Sequence, residues 1–162
     1  MADINIFCDG ACSSKTKFGG YGSVLIERKM VFFGGESEST NNIMELKGAI
    51  VPLRFLQNEP RKHIKITSDS KYLVDGATRW IYNWKKSNWI NSGGVVVSNL
   101  NLWRELEYLL TLHKVEFKWV KGHAGHPENE ACDKIATSSA KMTKELFEST
   151  GQKVCFDKFY YK

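Results

Sequence analysis

The sequence lacks a long apolar run, because no stretch approaches the roughly 20 consecutive apolar residues of a membrane-spanning helix. Its first residues, MADINIFCDG, also lack the basic region and the apolar stretch of a secretory signal. We therefore expect a cytoplasmic protein that has no membrane partner.

Cysteine is scarce, with four residues among 162. Cys8 and Cys12 are separated by three residues, and Cys132 and Cys155 stand far from them. The regular paired spacings of structural zinc sites are therefore missing, and reduced thiols are the better interpretation. A chain of this length buries enough surface to fold without such cross-links. The simplest organisation is one domain over residues 1–162, and we expect a monomer.

Acidic residues are nearly absent from the middle of the chain. Residues 61–90 hold seven Lys and Arg against two Asp, a surplus that equals the whole-chain net charge of +5. The same window also carries Trp80, Tyr82, Trp84 and Trp89, and basic residues interleaved with aromatics suit a nucleic-acid backbone. The alternative is an ordinary solvated helix face with a few tryptophans in the core.

The periodicity of apolar residues predicts an α/β fold. Alternation and turn residues predict five strands, at 4–9, 21–29, 30–36, 64–69 and 115–120. The first three have short connections and should form an antiparallel meander. Helical spacing predicts helices at 42–56, 70–77, 79–86, 100–112 and from Pro127 to about Met142. Pro52 should kink or shorten the first helix, Gly76 should mark a bend, and the last dozen residues have no clear pattern.

Four acidic residues lie in four separate segments, each at or near the end of a predicted element or on a predicted helix. Asp9 and Asp69 end strands, whereas Glu45 and Asp133 lie on helices. Carboxylates placed in this way can converge on a divalent cation, and Mg²⁺ prefers oxygen ligands. A pair of such cations about 3.5–4 Å apart is a known arrangement for phosphodiester hydrolysis.

Each acid also has a structural interpretation. Glu45 stands three residues after Asn42, the spacing of a capping box. Asp69 could cap the helix that follows it, and Asp9 could belong to a turn. Asp133 would then be an ordinary surface acid. These interpretations must all hold independently, whereas a single metal site accounts for all four positions.

The segments around these acids resemble the type 1 ribonuclease H family, the enzymes that cut RNA in RNA–DNA hybrids. FCDGAC with the later GGYG resembles the first family signature, and TNNIMELKGAI resembles the segment that carries its glutamate. SDSKYLVDGATRWIYNWKK and WVKGHAGHPENEACDKIA resemble the third and fourth signatures. The resemblance covers most of residues 4–140, in the same order. It implies a ribonuclease H-like fold, with a five-stranded mixed sheet of a three-strand antiparallel meander and parallel strands, flanked by helices.

The resemblance also implies catalytic roles and two Mg²⁺ ions, with Mn²⁺ as the alternative. Asp9 would bridge both ions, and Asp133 would help to hold the ion that activates water. Glu45 and Asp69 would hold the ion that stabilises the leaving 3′ oxygen. His123 would assist proton transfer or product release. Hydrolysis of the RNA strand would leave a 5′-phosphate and a 3′-hydroxyl.

Substrate contacts carry over by position in the same way. Asn41 and Asn42 resemble residues that reach the minor groove and the ribose hydroxyls, which distinguish RNA from DNA. Thr40 and Asn83 match positions near a phosphate pocket for the DNA strand. The residues that resemble the basic protrusion, which grips the DNA strand, are Trp80, Trp84, Lys85, Lys86 and Trp89. The three tryptophans could instead pack the protrusion onto the domain.

Some positions depart from the family pattern. Cys12, Lys15 and Lys71 stand at substrate-facing positions, but Lys15 replaces a common asparagine and Lys71 a common glutamine. Residues 91–98 lack the lysines that the protrusion often carries, so we expect weaker and more salt-sensitive hybrid binding. The sequence shows no separate hybrid-binding module. Two alternatives are a non-catalytic hybrid-binding module and a DNA nuclease of the same fold, similar to resolvases and transposases.

Overall fold

The computed structural model describes all 162 residues and contains a mixed sheet of six strands in the order β5-β4-β1-β2-β3-β6. β1 pairs antiparallel with β2 and parallel with β4, β2 and β6 pair antiparallel with β3, and β5 pairs parallel with β4. The predicted meander is therefore present. The strands are β1 Ile4–Cys12, β2 Gly19–Leu25, β3 Met30–Glu36, β4 His63–Ser68, β5 Lys114–Trp119 and β6 Cys155–Tyr161.

The prediction of five strands is wrong, because the last dozen residues form β6 along the free edge of β3. β6 gives no alternating signal because most of its side chains on both faces are exposed. The second predicted strand is also too long. β2 ends at Leu25, a short 3₁₀ turn follows over Ile26–Arg28, and Lys29 adopts a positive φ of 52° before β3 begins.

Helices cover both faces of the sheet. A Cβ atom added at Gly48 of the first helix would lie 3.2 Å from the Cβ of Cys8, and one added at Gly22 would lie 2.9 Å from the carbonyl oxygen of Cys132 in the last helix. Gly22 pairs with Asp9 in the ladder, and Cys8 is the neighbour of Asp9 in β1. Because successive residues of a strand face opposite sides, the two contacts lie on opposite faces of the sheet. The helices are α1 Asn41–Phe55, α2 Lys71–Asp75, α3 Ile81–Lys86, α4 Leu100–Leu112 and α5 Pro127–Thr150. None of them combines the length and the apolar character that crossing a membrane requires.

The predicted bend at Gly76 is replaced by a continuous helical path. A wide π-type segment over Gly76–Trp80 joins α2 directly to α3. Gly76 is needed here for space, because an added Cβ would lie 2.1 Å from the ring of the buried Trp103. α5 also runs well past Met142, and it ends where Gly151 adopts a positive φ of 67° and its N–H bonds to the Phe147 carbonyl.

Pro52 does not shorten α1, which continues through it to Phe55. A proline cannot donate the backbone hydrogen bond that the carbonyl of Gly48 would accept. The buried hydroxyl of Ser23 in β2 donates to that carbonyl instead. The sheet therefore supplies the donor that the helix lacks.

This replacement predicts an energetic coupling between Ser23 and Pro52. Ser23→Ala should lower the free energy of unfolding by about 1–3 kcal/mol, because the buried Gly48 carbonyl loses its donor. In the Pro52→Ala background the same change should cost much less, since the alanine N–H can bond to the carbonyl. Urea unfolding of the four proteins measures the coupling. An equal cost in both backgrounds would mean that Ser23 is not the replacement donor.

Candidate active site

Three of the four predicted acids converge at one end of the sheet. Single carboxylate oxygens of Asp9, Glu45 and Asp69 all lie within 4.8 Å of one another. The parallel ladder between β1 and β4 pairs Phe7 with Thr67. Asp9 and Asp69 each follow these partners by two residues, so the two strands bring their carboxylates side by side.

Glu45 reaches this cluster because the backbone of α1 packs directly on β1. A Cβ atom added at Gly10 would lie 2.5 Å from the backbone nitrogen of Glu45 and 2.6 Å from the carbonyl carbon of Met44. A larger residue at Gly10 would push the helix away from the strand. The close contact leaves Asp9 5% exposed and Glu45 4% exposed, so both acids are largely withdrawn from water.

The structural alternatives for these three acids are wrong. Thr40 is the N-cap of α1, and its hydroxyl accepts a hydrogen bond from Ile43 N at 3.1 Å, so Glu45 lies too far along the helix for a capping box. Ser70 caps α2 in place of Asp69, and its hydroxyl accepts from the backbone of the residue three positions later. Asp9 lies inside β1 rather than in a turn. None of the three carboxylates caps a helix.

Two of the clustered carboxylates, those of Glu45 and Asp9, have raised pKa values. Burial, followed by the charges of Asp9 and Asp69, raises the pKa of Glu45 from 4.5 to about 9. Burial, followed by the charge of Asp69, raises the pKa of Asp9 from 3.8 to about 7. The charged forms of Glu45 and Asp9 are destabilised, because burial removes water from them and neighbouring carboxylates repel them.

The site fits a hard divalent cation. The Oε1 atom of Glu45 is buried and has no hydrogen-bond partner. Such an orphaned oxygen is costly unless a donor or a cation compensates it. All the clustered donors are carboxylate oxygens, which Mg²⁺ and Mn²⁺ accept, and no cysteine or histidine belongs to the cluster. The four cysteines form no disulfide.

Asp133 lies beside this cluster, but it is not one of the three acids whose carboxylate oxygens lie within 4.8 Å of one another. It follows Cys132, whose carbonyl lies above Gly22, the ladder partner of Asp9. After burial and the charge of Asp69, the charge of Asp133 also contributes to the raised pKa of Asp9. α5 therefore places Asp133 close to Asp9, and Asp133 is half-buried.

His123 lies in the connection between β5 and α5. It is exposed and has a positive φ of 55°. A Cβ atom added to the preceding Gly122 would lie 2.7 Å from Oδ2 of Asp69, so the backbone of this loop rests on the carboxylate. Trp119 Nε1 also donates to the Asp69 carbonyl oxygen at 3.0 Å. The loop is therefore held against the cluster, with His123 at its rim.

Several of the predicted substrate residues surround the same end of the sheet. Asn41 and Asn42 are exposed in the first turn of α1, next to its cap Thr40. Lys15 is exposed in the loop after β1, at whose end Cys12 is half-buried. The Ser39 N–H donates to the Lys17 carbonyl at 3.0 Å, which ties this loop to the start of α1. Lys71 begins α2, and its ammonium lies 4.9 Å from the ring centre of Trp119.

The basic protrusion is attached to the core by its tryptophans. The ring of Trp84 lies 5.8 Å from Trp80, 6.5 Å from Trp89 and 5.3 Å from the buried Trp103. The packing interpretation therefore accounts for these side chains. A surface depression of about 370 Å³ remains beside them and is lined by Trp80, Asn83, Trp84, Ser87, Ile90, Asn91 and Ser92.

The two lysines of the protrusion differ. The Lys85 ammonium forms an ion pair of 2.9 Å with Glu107 of α4, whereas Lys86 is exposed and has no ion-pair partner. The Lys85 side chain is nevertheless 63% exposed, so its predicted contact with the DNA strand stays a prediction. Its partner could not be recognised from the sequence because α3 and α4 are separated by a long loop.

The comparisons with known proteins agree on one family. A family model described as RNase H matches residues 1–141. A ribonuclease H of Aeromonas salmonicida is 43% identical over 153 residues, which cover 93% of this chain and 97% of that protein. A ribonuclease H of Escherichia coli is 42% identical over 156 residues, covering 95% of this chain and 98% of that protein.

Solved structures give the same fold. The crystal structure of a type 1 RNase H with the type 2 active-site motif has a TM-score of 0.76 and 30% identity, over 86% of this chain and 72% of that one. A foamy viral protease–reverse transcriptase in complex with an RNA/DNA hybrid has a TM-score of 0.74 and 14% identity, over 87% of this chain and 20% of that one. The second likeness concerns the fold alone.

The raised pKa values predict how the stability of the metal-free protein depends on pH. The folded state binds protons at Glu45 and Asp9 more tightly than the unfolded chain does. This contribution to the free energy of unfolding is complete below about pH 4 and is lost as the pH rises through about 7 and then about 9. Glu45→Gln should remove much of this decline, because the amide does not ionise.

Urea unfolding in the presence of a chelator, at several pH values from about 5 to 9, measures the decline. Glu145→Gln, at an exposed position of α5, is the matched control and should keep the pH dependence of the unaltered protein. The same decline in Glu45→Gln as in this control would contradict the assignment of the raised pKa to Glu45.

Proposed function

The chain belongs to the RNase H family, and we propose that its acidic cluster performs the family reaction with two divalent cations. The chain is a ribonuclease H, an endoribonuclease that hydrolyses the RNA strand of RNA–DNA hybrids. The observation that carries the proposed mechanism is the convergence of Asp9, Glu45 and Asp69 within 4.8 Å.

The residues that would hold the cations are the four acids. Asp9 would contribute to both cation sites, with Glu45 and Asp69 at one and Asp133 at the other. Bound in this way, Mg²⁺ or Mn²⁺ would supply Lewis-acid stabilisation of the reacting phosphate and lower the pKa of the attacking water. The orphaned oxygen of Glu45 supports this assignment, because it has no other partner.

The exposed amides of Asn41 and Asn42 would select the RNA strand. They stand at the start of α1, four and three residues before the buried Glu45. Side-chain amides donate and accept hydrogen bonds, and the 2′-hydroxyl is the group that distinguishes RNA from DNA. A ribose held at this position would lie close to the cluster, so selection and cleavage would concern the same strand.

His123 would move protons at the rim of the cluster. Its imidazole is exposed on a loop whose preceding glycine rests against the Asp69 carboxylate. An imidazole can take or give a proton near neutral pH. The proposed step is proton delivery to the leaving 3′ oxygen or assistance to product departure, with a 5′-phosphate and a 3′-hydroxyl as products. The protrusion, with Lys85, Lys86 and the depression beside Trp84, would hold the DNA strand.

Other features remain predictions from the sequence. These are the single domain over residues 1–162, the monomeric state, the cytoplasmic location and the choice of Mg²⁺ over Mn²⁺. Two different functions, a non-catalytic hybrid-binding module and a DNA nuclease of the same fold, are outcomes that the following experiment distinguishes.

Cleavage of a hybrid tests the proposed function directly. The protein should cut the labelled RNA strand of a hybrid when Mg²⁺ is added and should leave RNA and DNA duplexes intact. Asp9→Asn should keep less than about a tenth of the activity, a loss of at least about 1.4 kcal/mol of transition-state stabilisation. Glu116→Gln, an exposed acid on β5 outside the cluster, is the matched control and should retain activity. Substantial cleavage by Asp9→Asn would exclude the shared role of Asp9.

His123 and His126 should differ in their effect on turnover. His123→Ala should slow single-turnover cleavage by about 10²–10⁴ if His123 transfers a proton, and it should slow only multiple turnover if it assists product release. His126→Ala in the same loop is the control, because His126 precedes α5 without a side-chain cap bond. Equal effects of the two changes on both kinds of turnover would argue against a specific role for His123.

A further inference from the structure

A groove leads away from the acidic cluster between the loop after β1 and the helix α5. Its volume is about 470 Å³, with Ala11, Cys12 and Thr16 on one wall and Lys141 and Lys144 on the other. Ala11 follows Asp9 by two residues in the same strand, so both residues face the α5 side of the sheet. The wall of the groove at Ala11 therefore lies two residues along β1 from Asp9.

The lysines of the groove lie on the same side of α5 as the predicted metal ligand. Asp133, Thr137, Lys141 and Lys144 are spaced by four, four and three residues, which places them along one stripe of a helix. At about 1.5 Å per residue, Lys141 and Lys144 stand roughly 12 and 16 Å along the helix from Asp133. One charge of a nucleic-acid strand recurs about every 3.4 Å of axis, so these distances correspond to roughly three to five nucleotides.

Lysines line the α5 wall of the groove, and the loop that forms the other wall carries two more outside the lining. Lys141 and Lys144 are exposed and belong to none of the ion pairs of the structure, and the same holds for Lys15 and Lys17 in the opposing loop. Glu145 and Glu148 follow Lys141 and Lys144 by four residues each, and neither acid forms an ion pair with these lysines. Both ammonium groups therefore remain available to an anionic ligand.

The two walls are held in place by contacts on either side. The ring of Phe18 packs on Phe147 with centroids 5.3 Å apart. Below the groove, the buried Thr143 hydroxyl donates to the Gly19 carbonyl at 3.0 Å. A groove fixed in this way loses little conformational entropy when a ligand binds.

We infer that this groove binds phosphates of the RNA strand on one side of the cut site, through Lys141 and Lys144. The inference rests on the proposed function, because the strand held at the acids is the one that would continue into the groove. Lysine ammonium groups attract phosphates without reading sequence. Lys144 lies beyond residues 1–141, the part that the RNase H family model matches, so this contact belongs to the extended end of α5.

The test compares two double variants that lose the same charge. Lys141→Ala/Lys144→Ala removes the groove lysines, and Lys134→Ala/Lys158→Ala removes two exposed lysines outside the groove, of which Lys134 lines a separate depression with Tyr160. Hybrid binding is measured by fluorescence anisotropy with a chelator, and cleavage is measured with Mg²⁺.

The slope of log affinity against log salt should become shallower by about 1.8 for the groove variant, about 0.9 for each contact. From about 50 to 200 mM salt, the ratio of its Kd to that of the unaltered protein should then shrink roughly tenfold. kcat should stay unchanged.

A second measurement locates the contact along the RNA. Hybrids with one cut site are shortened stepwise on either side, and the loss caused by Lys141→Ala/Lys144→Ala should vanish when one side falls below roughly three to five nucleotides. Equal losses for both double variants, or a loss that does not depend on RNA length, would overturn the inference. If the unaltered protein failed to cut the full-length hybrid, the proposed function would fail instead.

Discussion

The direct contact between the backbones of α1 and β1 at Gly10 is the constraint on which the site depends. A helix normally stands off a sheet by the length of its side chains, and here the absence of a Cβ atom at Gly10 removes that spacing. Glu45 is thereby brought next to Asp9, whose strand already lies beside the one that ends before Asp69. On the other face, α5 packs on Gly22, where an added Cβ atom would lie 2.9 Å from the Cys132 carbonyl oxygen, and this brings Asp133 near the same carboxylates. The two close contacts convert four acids that are distant in sequence into one concentrated negative site.

This concentration has an energetic consequence that connects structure to chemistry. Burial and mutual repulsion hold the pKa values of Glu45 and Asp9 at about 9 and about 7, so the metal-free cluster retains protons near neutrality. A divalent cation that displaces those protons removes the repulsion and supplies a partner to the unpaired oxygen of Glu45. The surrounding surface is basic, with Lys86 on the protrusion and Lys141 and Lys144 along α5. The phosphodiester backbone is thus attracted by the periphery, and its cleavage depends on the acidic centre.

The sequence predicts the elements whose signals are local. Alternating residues located β1 and β4, although β1 continues past its predicted end at Asp9 to Cys12. Asp9 and Asp69 lie side by side because the two strands pair in parallel. The features that sequence reasoning missed depend on distant partners. The hydroxyl of Ser23 replaces the donor that Pro52 removes, and Glu107 pairs with Lys85 from another helix. β6 was missed because its exposed residues do not alternate, and only the free edge of β3 explains its pairing.

The carboxylate cluster holds protons that a divalent cation must displace. Calorimetric titration of the metal-free protein with Mg²⁺ near neutral pH, in buffers with different ionisation enthalpies, measures this displacement directly. We expect a binding enthalpy that changes with the buffer and corresponds to net proton release, because Glu45 and part of Asp9 are protonated beforehand. A binding enthalpy that is the same in every buffer would show that the acids are already ionised, and it would contradict the account.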